Sequence, residues 1–121
     1  MTCTQCGTEI PAGSNGCPAC GFGSKVKLQL VGEAGTMTFP MNAEFGTRQA
    51  GKVCGTDAKY MDETQFYVKV VDEVWFIKPH PRIRNKVYLN DAMITETTAL
   101  HDGDRLSLKG KAAFMDVKYL Q

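Results

Sequence analysis

The chain has 121 residues, 14 Lys and Arg against 13 Asp and Glu, and a formal net charge of +1. That length suits one domain with a real core plus a small appendage. So even a charge balance supplies none of the global basic field that general nucleic-acid affinity needs. The apolar runs are only a few residues long and the N-terminus lacks the basic and hydrophobic regions of a signal peptide, which predicts a soluble, cytoplasmic protein with no membrane association.

Four of the five cysteines fall in the first 20 residues, as Cys3-Thr-Gln-Cys6-Gly7 and Cys17-Pro-Ala-Cys20-Gly21. Two-residue spacing lets a tight turn present both sulfurs to one ion, and a tetrahedral Zn²⁺ takes two such turns. The glycine after each pair suits a turn with positive φ. Between the pairs, Pro11 to Gly16 is a turn-rich loop that returns the second pair to the first. A redox dithiol, two disulfides and an iron–sulfur centre are the alternatives. A thioredoxin-type motif would need a βαβ unit that this sequence lacks, and zinc is the reading the spacing favours.

Four thiolates leave no position open for water or substrate, so one Zn²⁺ held by Cys3, Cys6, Cys17 and Cys20 would be structural. A Zn²⁺ with four thiolates carries two net negative charges and turns the formal +1 into −1, which argues further against nucleic acid. Residues 3 to 21 resemble the short bacterial zinc ribbons, a family commonly appended to interaction or signalling domains. The predicted division is a ribbon over residues 1–23 and a second domain over 24–121, with Phe22-Gly23-Ser24 as the join.

From Lys25 onward the chain reads as β-structure. Lys25 to Val31 alternates, with Val26, Leu28 and Leu30 on one face; Gly32-Glu-Ala-Gly35 makes a hairpin turn, and Met37, Phe39 and Met41 continue the alternation. Further strands are predicted over Phe66–Val71 and Val74–Lys78, around an Asp72-Glu73 turn. Others follow at Val87–Leu89, Thr97–Leu100, Arg105–Lys109 and Ala113–Leu120. No segment shows a sustained helical period. Short strands, frequent turns and no helices predict an all-β antiparallel sandwich, because each half-polar sheet must bury its apolar face against another.

Within that pattern Lys78, His80, Arg82, Arg84 and Lys86 recur every second residue. Pro79 and Pro81 favour extended geometry, in which alternate side chains point the same way. The bland reading of such a ladder is a solvated edge strand that Lys and Pro protect from mispairing.

Four features in chain order resemble a forkhead-associated (FHA) domain. Phe45-Gly46-Thr47-Arg48 falls where that family has an apolar residue followed by Gly-Arg. Met61-Asp-Glu-Thr-Gln-Phe66 falls where it has apolar-Ser-Arg-x-His-Ala. Asn85-Lys-Val-Tyr-Leu-Asn-Asp91 parallels Asn-Gly-Thr-x-Val-Asn-Gly, and Leu100-His-Asp-Gly-Asp-Arg-Leu106 parallels Leu-x-x-Gly-Asp-x-Ile. The resemblance spans Lys25 to Gln121 and implies an FHA-like sandwich that binds phosphothreonine peptides through loops at one end. It implies that Arg48 and the Ser position hold the phosphate and that Asn85 fixes the peptide backbone. It also places Arg82 to Lys86 in a recognition loop, which breaks the ladder before Lys86.

The departures bear on function. The Ser position is Asp62, the usual Arg is Glu63 and the His position is Gln65. A phosphate carries about −1.5 to −2 charge at neutral pH. Each like unit charge at about 5 Å costs on the order of 3 kcal/mol before screening, at an effective dielectric near 20. Ordinary phosphothreonine binding is therefore not expected, and Arg48 and Asp62 are candidates for an intramolecular ion pair.

No phosphate-binding glycine loop occurs. The three serines, Ser14, Ser24 and Ser107, lack the strand–turn–helix setting of a hydrolase nucleophile. Cys54 reads as a small buried hydrophobe, His101-Asp-Gly-Asp104 as a tight turn, and Trp75 as core with an N–H in need of a partner.

The expectation is a non-catalytic adaptor with a structural zinc ribbon. Its partner surface is Arg48, Asp62, Glu63, Arg82, Arg84, Asn85 and Lys86, and its ligand a phosphorylated, acidic or unmodified protein segment. A scaffold subunit of a larger assembly, or a nucleic-acid-associated ribbon module, is the alternative.

Overall fold

The computed structural model describes residues 2–10, 17, 19–21, 23–108 and 112–121. Two-residue turns organise the strands. β4 (Phe66–Val71) and β5 (Val74–Pro79) join through Asp72 and Glu73, with φ of 50° and 66°. β6 (Val87–Leu89) and β7 (Ala92–Ile94) join through Asn90 and Asp91, with φ of 51° and 68°. Positive φ at both central residues matches the twist of the flanking strands, and Asn and Asp tolerate it best among non-glycine residues. β1 (Lys27–Gly32) turns into β2 (Thr36–Phe39) where the Gly32 N–H donates to the Gly35 carbonyl at 2.8 Å. β3 (Ala43–Phe45), β8 (Thr98–Ala99), β9 (Arg105–Leu108) and β10 (Ala112–Leu120) complete the set.

All the pairings are antiparallel and form two sheets, β2-β1-β10-β9-β6-β7 and β3-β4-β5-β8. Alternation along the strands supplies the core. Leu28, Leu30, Leu106, Leu108, Met115 and Val117 of the first sheet face Phe45, Phe66, Val68, Trp75 and Ile77 of the second, all of them buried. Phe45 and Phe66 stack at 4.8 Å between centroids. Trp75 is fully buried, and its indole N–H donates to the Val26 carbonyl at 2.9 Å, the partner that its burial requires.

Two features depart from the all-strand expectation. A helix α1 (Thr47–Val53) and a 3₁₀ turn (Gly55–Tyr60) follow β3. The helix has seven residues, buries only Ala50 and Val53, and carries Gly51 in its interior. So short a piece shows no helical period in sequence. A local cap and a tertiary contact hold it: at the N-terminus the Gln49 carboxamide accepts the N-cap Gly46 N–H at 3.0 Å, and at the C-terminus Val53 O accepts the Ala34 N–H at 2.9 Å. A Cβ on Gly32 would stand 2.2 Å from Val53 O, so glycine is what lets the β1–β2 hairpin reach the helix end. The three-residue strands β3 and β7 also went unpredicted, being too short to show alternation.

Asn42 fastens the ribbon to the sandwich. Its backbone N–H donates to Cys20 O at 2.7 Å and its Nδ2 to Ala19 O at 3.1 Å, while its Oδ1 accepts the Val70 N–H at 2.9 Å. Val70 lies near the hairpin end of β4, so the ribbon docks at the opposite end of the sandwich from residues 60–65 and 80–86.

Candidate functional site

Three segments meet where β4 begins and β5 ends: residues 46–48, 60–65 and 80–86. Side chains and backbone lace them together. Thr47 donates through its backbone N–H to Asp62 O at 3.0 Å and through Oγ1 to Met61 O at 2.6 Å. Gln65, at the family's His position, is fully buried. Its Oε1 accepts the Asp62 N–H at 3.0 Å and its Nε2 donates to Asn85 O at 2.6 Å. A single carboxamide thereby ties the second loop to the third. Asn85 returns the link, its Nδ2 donating to Tyr60 O at 2.7 Å, so it bonds across the loops rather than within its own turn. A Cβ on Gly46 would lie 1.8 Å from Glu63 O, which makes glycine obligatory at that crossing.

Asp62 is the electrostatic centre. Its Oδ2 accepts the Arg84 backbone N–H at 2.7 Å, and its Oδ1 accepts Arg84 Nε, also at 2.7 Å. Arg84 adds a contact from its outer guanidinium nitrogen to Met61 O at 3.3 Å. The Arg84 backbone N–H, and after it the Arg84 guanidinium, hold the Asp62 carboxyl below the usual carboxylate range. The expected Arg48–Asp62 pair does not form. α1 carries Arg48 into a shallow hollow of about 130 Å³ with Glu44, Gln49, Glu63 and Thr64, whereas the third loop brings both a backbone N–H and a guanidinium to Asp62.

The Asp62 side chain is 25% exposed and that of Arg84 65%, so the pair contributes about 0–1 kcal/mol. Because the folded pKa lies below the unfolded value of about 3.9, that contribution is present at neutral pH and lost as pH falls through the folded pKa. Asp62→Asn should lower the melting temperature slightly at pH 7, and the gap to the parent should close in strong acid.

The basic ladder ends with the strand. Only Lys78 keeps β5 alternation; Pro81 and Arg82 turn, with the Arg82 N–H donated to His80 Nδ1 at 3.1 Å. Arg48, Glu63, Arg82 and Lys86 are exposed, and among the described residues none of the four forms an ion pair. Gln65, Thr47 and Tyr60 carry the loop architecture; Gln65 stood at the recognition end by its motif position, whereas Thr47 and Tyr60 were not among the expected site residues. For Gln65 the available signal was a polar residue at the family's His position.

The antiparallel sandwich brings three interlocked loops together at one end. The solved structures it resembles specify the fold. The FHA domain of an Arabidopsis thaliana hypothetical protein matches with a TM-score of 0.65 at 15% identity, over 95% of this chain and 96% of that one. The FhaA FHA domain, in complex with the intracellular domain of Rv3910, matches with a TM-score of 0.56 at 18% identity, over 79% of this chain and all of that one. The sandwich has the forkhead-associated fold. No family model and no curated protein matches the sequence.

At the other end, the ligand atoms of Cys3, Cys6, Cys17 and Cys20 lie within 4.8 Å of one another. Cys3 and Cys20 sulfurs are 3.7 Å apart, and those of Cys6 and Cys17 3.5 Å. A tetrahedron with metal–sulfur bonds of about 2.3 Å has edges of about 3.8 Å, so the cluster fits one metal ion. Both knuckles repeat one geometry: Gly7 N–H donates to Cys3 O at 2.9 Å and Gly21 N–H to Cys17 O at 2.8 Å, with φ of 77° and 81°. Backbone N–H groups of Cys6 and Gln5 lower the Cys3 thiol, and hydrogen bonds from Thr8 bring Cys6 down to about 6. These are donors suited to thiolate ligands. Pro11 to Gly16 and Phe22 lie outside the described residues.

Cys54 is buried, and desolvation pushes its thiol up to about 11, in keeping with a packing role. His101 to Asp104 form the expected turn, closed by Asp104 N–H to His101 O at 3.0 Å. Among the described residues no helix is long and apolar enough to cross a membrane.

Proposed function

We propose that this chain is a non-catalytic protein-interaction module of the cytoplasm, carrying a structural Zn²⁺ in its ribbon and binding a partner segment at the FHA loop end without requiring phosphothreonine. One observation carries the reading. The position at which the family holds phosphate presents a carboxylate, and Arg84 already neutralises it with a backbone N–H and a guanidinium. An incoming phosphate would compete with a bound carboxylate and face Glu63 beside it. The exposed cations left for a partner are Arg48, Arg82 and Lys86, which suit an acidic or unmodified segment. Asn85 is held in place for backbone contacts by Tyr60 and Gln65.

The ribbon's four thiolates close a metal's coordination sphere and supply rigidity alone, the usual duty of a Cys₄ zinc site. An array of peptides in Thr, Asp and phosphothreonine versions tests the recognition reading. Binders should show no preference for the phosphorylated form, and Arg48→Ala with Arg82→Glu should abolish binding. A consistent phosphothreonine preference, or indifference to both substitutions, would sink it.

A further inference from the structure

The third loop has two flanks. Arg84 and Asn85 turn towards residues 60–62, whereas Pro81, Ile83 and Lys86 turn away and, with Pro79, His80, Ile94 and Thr95, line a separate cleft of about 240 Å³. Pro79 ends β5 in one sheet and Ile94 ends β7 in the other, so the cleft opens at the sandwich end between the two sheets. Its floor is apolar: Pro79 and Ile83 are buried and Ile94 partly so.

The only charged or titratable groups in the lining are Lys86 and His80. Arg82 stands next to His80 in the turn, exposed, and Glu96 follows Thr95 in sequence but does not line the cleft. His80 is oriented from two sides, its Nδ1 accepting the Arg82 N–H and its ring lying 6.0 Å from that of Tyr67. A volume of 240 Å³ falls below the roughly 300–1,000 Å³ of small-molecule and cofactor pockets and suits a single side chain.

Resting on the loop-end reading above, we propose that this cleft is an anchor pocket for an acidic protein segment. One aliphatic side chain of the segment seats on Pro79, Ile83 and Ile94, while carboxylates on either side of it meet Lys86 and Arg82. Charge complementarity selects this occupant, since the described lining holds the Lys86 ammonium and no acid, with the exposed Arg82 guanidinium beside it. The arrangement also follows interface anatomy, with an apolar anchor in a pocket and charges at its rim. It extends recognition to the side of the third loop away from Asp62 and requires no phosphate.

The test titrates the metal-loaded, ¹⁵N-labelled chain with acetyl-Glu-Asp-Leu-Asp-Glu-amide and with the same peptide carrying Ala for Leu. Saturable amide shifts are expected at Ile83, Lys86, Ile94 and Thr95, and the Ala peptide should bind at least tenfold more weakly. Thr95→Trp, at an exposed mouth position, should block the shifts while the rest of the spectrum is unchanged. Lys86→Glu should weaken the Leu peptide, and Lys118→Ala, at an exposed position of β10 outside the cleft, should leave it unaffected. Equal binding of both peptides, insensitivity to Thr95→Trp, or no shifts at millimolar peptide would overturn the cleft. Shifts confined to residues 46–48 and 62–65 would overturn it too, yet leave the loop-end reading standing, which the peptide array judges separately.

Discussion

Chelation of the zinc-loaded chain should unfold the ribbon and leave the sandwich intact. The described ribbon buries little beyond Cys3, Cys17 and Gly21, so it has no apolar core to fall back on. Structural zinc in such small modules supplies on the order of 10–16 kcal/mol of apparent binding energy that is also folding energy. The sandwich differs: both its sheets contribute to a core that includes Trp75, Phe45, Phe66, Leu28 and Leu106. Among the described residues its loss on chelation falls chiefly on the Asn42 bonds to Ala19 and Cys20 and the packing of Gly21 against Val70.

Two such hydrogen bonds are worth about 1–2 kcal/mol, a drop of roughly 5–15 °C in melting temperature for a domain of this size. Trp75 is the single tryptophan and is fully buried, so its emission follows the sandwich alone. EDTA, or Cys17→Ser, should erase dispersed amide signals from residues 2–10 and leave Trp75 emission unshifted. A red shift of Trp75 on chelation would refute the division into 1–23 and 24–121.

The reach of the sequence follows from the range of the interactions involved. Cys-x-x-Cys-Gly is a local motif, and both glycines adopt the positive φ read from their place in it. β4 runs over the residues its alternation predicts, and the Asp72-Glu73 and Asn90-Asp91 turns sit where two polar residues interrupt apolar runs. α1 was illegible because a short local cap and a long-range bond from Ala34, not a repeating apolar face, define it. The loop end was half legible. Motif order placed Arg48, Asp62 and Asn85 at one end, but side-chain partners depend on distances that spacing does not encode. Arg84, 22 residues from Asp62, wins that carboxylate because its own backbone N–H arrives with its guanidinium. Motif position put Gln65 at the same end, but its role was illegible for a related reason: it satisfies groups in two loops, Asp62 N and Asn85 O, whose meeting is a tertiary event.

Restoring the family's residues at the rim should create phosphothreonine binding where the parent shows none. Asp62→Ser removes one negative charge and replaces it with a hydroxyl donor. Glu63→Arg reverses a second charge beside Arg48 and Thr64, which share its hollow. The double variant thus changes the rim by three units of charge in favour of a phosphate. At about 5 Å and an effective dielectric near 20, each unit is worth about 3 kcal/mol unscreened. Water and salt at so exposed a rim cut that to about 1 kcal/mol. Three units then give about 3 kcal/mol, or roughly a hundredfold tighter binding of a phosphothreonine peptide than of its Thr version.

Asp62→Ser alone should give a smaller gain, because Glu63 still opposes the phosphate. It also frees Arg84, whose backbone N–H and Nε become donors for the incoming oxygens. The scaffold should tolerate both changes, since Gln65 accepts the backbone N–H of residue 62 and Thr47 donates to backbone carbonyls, whatever side chain stands there. Calorimetry of the parent and both variants against one phosphothreonine peptide and its Thr counterpart decides the matter. Parent binding that already favours the phosphopeptide would show that Asp62 does not block the site, and no gain in the double variant would show that charge at this rim does not set the specificity.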